Sequence, residues 1–131
     1  NLLISENGVV KVADFGLAVQ MEHSFSRRSS MCGTHLYMAP EVYEEKACLK
    51  SDVWSLGISI IEMAEGKNPF AGSASLQVMK AVCNGEPPSL TSPEWSSDLV
   101  AFVRLCLVKE VDKRWSVNEL MRVSVASWSD D

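Results

Sequence analysis

Residues able to do chemistry gather toward the start of the chain. Asp14 follows the apolar run Val9 to Val12 and leads into Phe15-Gly16, and Ala39-Pro40-Glu41 closes a polar stretch that holds Arg27-Arg28-Ser29-Ser30. Asn1 heads the chain, Thr34 follows Gly33, and Asp52, Glu41 and Arg114 are charges with apolar neighbours. Carboxylate and amide oxygens are the donors that hard cations such as Mg2+ take. Serine beside arginine is a setting in which an added phosphate finds a cationic partner. Singly, each residue has an ordinary reading. An aspartate after a strand is a turn former, a terminal asparagine is solvated, and an aspartate opening a helix complements the macrodipole. A lone Glu or Arg is a surface charge.

The elements that must hold these residues are legible as patterns. Leu2 to Ile4 and Val9 to Val12 are apolar runs around Ser5-Glu6-Asn7-Gly8, and Asn-Gly between such runs predicts a hairpin. That ribbon ends directly before Asp14 and fixes it at the mouth. Residues 17 to 38 show no sustained periodicity and are rich in serine, and a loop of that length in a compact domain is more often functional than incidental. From Asp52 to Glu65, Val53, Trp54, Leu56, Ile58, Ile60, Ile61, Met63 and Ala64 are apolar on nearly every side, which predicts a buried helix at the centre of the core. Gly66 is placed to end it. Further helices are expected from about Ser75 to Val82, from Ser97 to Leu107, and from Ser116, where Ser116 and Glu119 have the spacing of a capping box. The expected architecture is mainly α with a small N-terminal β-hairpin, without internal repeats.

A length of 131 residues suits one domain with a sizeable core, and 47% apolar with 22% charged residues is the balance of a globular chain and not of a disordered one. The net charge of -5 argues against a nucleic-acid binder, which usually carries a clustered basic face. Cys32, Cys48, Cys83 and Cys106 are widely spaced, with no C-x-x-C pair, so buried reduced thiols are expected in place of zinc or disulfides. No apolar stretch is long enough to span a bilayer and no signal-peptide pattern opens the chain, which gives a cytoplasmic expectation.

Asp14-Phe15-Gly16 followed by Leu17-Ala18, the run Gly33-Thr34-His35-Leu36-Tyr37-Met38-Ala39-Pro40-Glu41, and Asp52-Val53-Trp54-Ser55-Leu56-Gly57 together resemble a eukaryotic protein kinase domain. The resemblance covers residues 1 to about 122 and corresponds to the C-terminal lobe of the α+β kinase-like fold, with 123–131 as a tail. It implies phosphoryl transfer with ATP and Mg2+. Asp14 is then the carboxylate that chelates the metal bridging the phosphates, Asn1 gives an amide oxygen to a second metal, and Phe15 and Gly16 support that site. Thr34 contacts the catalytic aspartate and lysine, and this threonine indicates serine/threonine specificity. Ser30, with Ser29 next, stands where activation-loop phosphorylation occurs. Glu41 and Arg114 form a buried ion pair, and Asp52 accepts backbone hydrogen bonds from the catalytic loop.

Asn68-Pro69-Phe70 and Gly85-Glu86-Pro87-Pro88 are similar to the sterile-type kinases of MAP-kinase cascades, with NIMA-type kinases alike. The implied partners are a protein substrate and an upstream activating kinase. The family's glycine-rich loop, its phosphate-pairing lysine and the base aspartate expected five residues before Asn1 are not in these 131 residues, so the chain by itself is expected not to transfer phosphate. A pseudokinase or scaffold and an inactive truncated product are the competing readings. Two departures bear on packing: Trp115 stands where the family usually has proline, and the tail from Arg122 lacks the usual histidine.

Overall fold

A computed structural model describes residues 1–18 and 35–124, with side chains described as far as 122. Its order is β1 (Leu2–Ile4), β2 (Val10–Val12), a single 3-10 turn (His35–Tyr37), then helices α1 (Pro40–Tyr43), α2 (Leu49–Glu65), α3 (Ser75–Asn84), α4 (Ser97–Cys106) and α5 (Val117–Ser124). The mainly helical architecture with an N-terminal hairpin is as the sequence predicts.

α2 is the pillar of the core, but it is not buried on every side. Val53, Trp54, Ile58 and Ile61 are buried, whereas Met63 is 57% exposed. Leu56, Ile60 and Ala64 are only partly covered. The expectation of a helix enclosed all round is thereby corrected: among the described residues, α4 and the 3-10 turn pack on α2 and leave part of its surface open. The helix also begins earlier than its apolar pattern, at Leu49. Ser51 Oγ accepts the Cys48 N–H at 3.0 Å, which satisfies a donor at the helix start. Leu49 is 43% exposed, so the first turn carries no buried stripe to betray it.

Close contact between α2 and α4 depends on Gly57, where an added Cβ would stand 2.8 Å from Cys106 Cβ and from Leu107 Cγ. Gly66 takes φ 71° and ends α2 in the left-handed conformation that a side chain resists. Val78 and Val82 of α3 and Val103 and Cys106 of α4 complete the core. Cys48 and Cys106 are buried free thiols, whereas Cys83 is only partly covered, and Cys32 lies outside the described residues. Burial pushes the Cys106 thiol up to about 12.

Trp115 does not disturb the last helix. It packs against the core cluster, to which Leu120 of the last helix also belongs. The capping box forms, with Ser116 N–H donating to Glu119 Oε2 at 2.7 Å and Glu119 N–H to Ser116 Oγ at 3.4 Å.

Candidate metal and substrate-docking site

The hairpin fixes one end of the site. β1 and β2 pair antiparallel with Leu2 opposite Val12, Leu3 opposite Lys11 and Ile4 opposite Val10. The turn is held by Gly8 N–H to Ser5 O at 2.9 Å and Val9 N–H to Ser5 Oγ at 3.0 Å. The ladder continues one step past the strands, with Ala13 N–H donating to Asn1 O at 2.8 Å. Asn1 is thereby pinned across from Ala13, the residue next to Asp14.

Asp14 adopts φ 61°, a left-handed conformation that aspartate tolerates better than most residues because its short polar side chain bonds locally. The local bond is present: Gly16 N–H donates to Asp14 Oδ1 at 3.2 Å. One carboxylate oxygen is therefore held by its own turn, and Asp14 and Asn1 are both exposed. No group of three or more His, Cys, Asp or Glu side chains suited to a metal exists among the described residues. A carboxylate plus an amide oxygen nonetheless fits Mg2+, which usually binds through one or two carboxylates and takes its remaining ligands from phosphates and water. Phe15 and Leu17, which follow Asp14 in the chain, are 67% and 65% exposed.

The segment from His35 to Glu41 is tied to the helical body at several points. Arg114 and Glu41 form a bidentate pair, with Nη1 to Oε1 at 2.7 Å and Nη2 to Oε2 at 2.9 Å. Arg114 is 1% and Glu41 6% exposed, so both charges are out of water. Their remaining capacity is filled. Arg114 Nε donates to Val108 O at 2.7 Å, Nη1 to Lys50 O at 2.8 Å, and Ser51 Oγ to Glu41 Oε1 at 2.7 Å. The guanidinium also lies over the Trp54 ring, 5.2 Å from its centroid. The ion pair that the resemblance implies is present, and α2 supplies its floor.

A second tie was not legible beforehand. Tyr37 Oη donates to Glu62 Oε2 at 2.6 Å and Asn68 Nδ2 to the same oxygen at 2.8 Å. The bond to Tyr37 is the main reason why the Glu62 carboxyl sits below its ordinary range and the Tyr37 phenol above its own. Ser55 Oγ donates to Tyr37 O at 2.8 Å and Tyr43 Oη to His35 O at 2.8 Å. One signal pointed to this tie: Glu62 is the single charged residue between Val53 and Ala64.

Asp52 is exposed in the first turn of α2, and its carboxylate accepts no hydrogen bond among the described residues. It borders a pocket of about 780 Å³ between the starts of α2 and α5, shared with Lys50, Asp112 and Glu119. Although the side chain reaches solvent, partial desolvation by the surrounding protein pushes its pKa up. Thr34, Ser29 and Ser30 lie outside the described residues.

Residues 1–125 match the model of the protein kinase domain. Serine/threonine-protein kinase hippo of Drosophila melanogaster is 41% identical over 124 residues, covering 92% of this chain and 18% of the relative. Serine/threonine-protein kinase cst-1 is 40% identical over 116 residues in both Caenorhabditis briggsae and Caenorhabditis elegans. Those matches take in 87% of this chain and 24% and 23% of the relatives. The chain thus spans less than a quarter of each of these proteins, and the likeness agrees with the sterile-type grouping.

Proposed function

We propose, since the chain belongs to the protein kinase domain family, that residues 1–122 serve as the C-terminal lobe portion of a serine/threonine kinase moving the ATP γ-phosphate to protein hydroxyls. The observation that carries this reading is the extended hairpin ladder. Asn1 O accepts Ala13 N–H at 2.8 Å, one residue before an aspartate at φ 61° whose Oδ1 accepts Gly16 N–H, and this supports a shared role for Asn1 and Asp14. Bound Mg2+ would neutralise charge on the phosphates, which together with positioning supplies most of the catalysis of this reaction. Asp14 and Asn1 are the residues that would hold it.

The chain's other residues act by placement. The Glu41–Arg114 pair and the Tyr37–Glu62–Asn68 cluster hold the docking segment against α2, so that an incoming peptide meets a fixed surface. Thr34 serves the catalytic aspartate and lysine, and its presence favours serine and threonine acceptors. Ser30, and next Ser29, receive the activating phosphate from an upstream kinase, pairing with Arg27 or Arg28 to order the loop. Asp52 supports the catalytic loop through backbone hydrogen bonds. The location is cytoplasmic, in keeping with a described structure in which no helix is long and apolar enough to cross a membrane. Residues 1–131 alone do not turn over ATP.

The test is phosphoamino-acid analysis of a protein substrate after incubation with the full-length protein, ATP and Mg2+. Phosphoserine or phosphothreonine is expected, and phosphotyrosine alone would overturn the specificity assignment. Phosphopeptide mapping of the active protein with neither Ser29 nor Ser30 modified would remove the regulatory part.

A further inference from the structure

The end of α4 carries a groove whose side chains play no part in the site above. It has a volume of about 430 Å³ and an accessible apolar lining from Pro87, Pro88 and Val108, with Leu107 contributing although it is 2% exposed. Its charged walls are Arg104, Lys109, Lys113 and Glu110. Lys113 Nζ pairs with Glu110 Oε2 at 2.5 Å, which cancels one positive charge. Lys109 Nζ donates to Gly85 O at 2.7 Å, a neutral acceptor that fixes the ammonium at the rim without neutralising it. Arg104 is exposed and makes no ion pair among the described residues. Two uncompensated positive charges therefore stand around an apolar floor on a chain whose net charge is -5. The adjacent Glu86 does not line the groove.

We propose that this groove docks an acidic protein segment, one large apolar side chain resting on the two prolines and Val108 with aspartate or glutamate carboxylates reaching Arg104 and Lys109. Charge complementarity selects the sign of the partner. The apolar floor and the negative chain select a peptide over a nucleic acid, whose dense phosphates require a broader basic face. Clustering of the charges at the rim and of the apolar surface at the floor follows the usual anatomy of a protein contact.

The test is fluorescence anisotropy on the full-length protein with a fluorescein-labelled peptide carrying a leucine flanked by aspartates. The control peptide has asparagine at every aspartate. Saturable binding that weakens by at least about tenfold for the asparagine peptide is expected, with a further decrease as salt screens the charges. Arg104→Glu is expected to lose at least about tenfold in affinity, and the milder Arg104→Gln a smaller part, with an unchanged far-ultraviolet circular dichroism spectrum. Equal binding of both peptides, no saturation below about 1 mM, or tighter binding of a single-stranded oligonucleotide would each overturn the proposal.

Discussion

Glu41→Ala should be among the most damaging single substitutions in the chain. It removes a carboxylate that meets Arg114 at 2.7 and 2.9 Å and leaves a guanidinium that is 1% exposed. Two effects set the size of the loss. Breaking a buried pair from one side costs about 3 to 5 kcal/mol, because the remaining charge stays desolvated. Arg114 keeps carbonyl partners at Val108 and Lys50 and its place over Trp54, which puts Glu41→Ala at the lower end, about 3 kcal/mol. Arg114→Ala strands the Glu41 carboxylate with Ser51 Oγ as its remaining side-chain donor and also empties volume beside Trp54, which puts it near the upper end, about 5 kcal/mol. A domain is typically stable by about 5 to 15 kcal/mol, so either change removes a large share.

The assay is urea unfolding of the wild-type chain, both single variants and the double variant. The midpoint should fall with little change in slope. The double-mutant cycle should return a coupling of at least about 2 kcal/mol, within the range found for contacting residues. Losses below about 1 kcal/mol for both single variants, the size expected of an exposed pair, would refute the reasoning.

Gly57→Ala sets two effects against each other. Relief of glycine's helix penalty is worth about 1 kcal/mol, and overpacking where Cβ would lie 2.8 Å from Cys106 and Leu107 costs about 1 to 3 kcal/mol; a lowered urea midpoint is expected, and a raised one contradicts the close approach of α2 and α4. Glu65 accepts Thr91 N–H and Trp95 Nε1–H at 2.8 and 3.1 Å, and its carboxyl lies below the ordinary range, chiefly because of the Thr91 backbone bond. A depressed folded pKa means that the contribution is complete above the unfolded value and is lost as pH falls through the folded one. The NMR signals of the Thr91 amide and the Trp95 indole N–H should therefore titrate together with a midpoint below about 4.3, the unperturbed Glu value. A midpoint above it would contradict the assignment, and Glu65→Gln should abolish the titration.

What the sequence made legible follows the reach of each signal. The hairpin is marked by Asn7-Gly8 between apolar runs and appears at the expected residues, because turn chemistry is local. Ser116 and Glu119 cap α5 for the same reason. α1 escaped notice because Pro40–Tyr43 is too short to show a period. The open side of α2 escaped because composition reports that a residue is apolar and not which neighbour covers it. Glu41 and Arg114 stand 73 residues apart, and no periodicity links them; only the family pattern did. The Tyr37–Glu62–Asn68 cluster and the hold of Glu65 on Thr91 depend on side chains converging in the folded state. An isolated acid on an apolar helix was the trace that Glu62 left in the sequence.

Asp14 is proposed to hold the metal on which phosphoryl transfer depends. The most direct test is Mg2+-dependent transfer from labelled ATP to a serine/threonine substrate by the full-length protein, wild type against Asp14→Asn. The account predicts transfer by the wild type and a loss of at least about a hundredfold in the variant, the scale of removing a preorganised electrostatic group. Asp14→Asn protein that phosphorylates at the wild-type rate, with the same Mg2+ dependence, would contradict it.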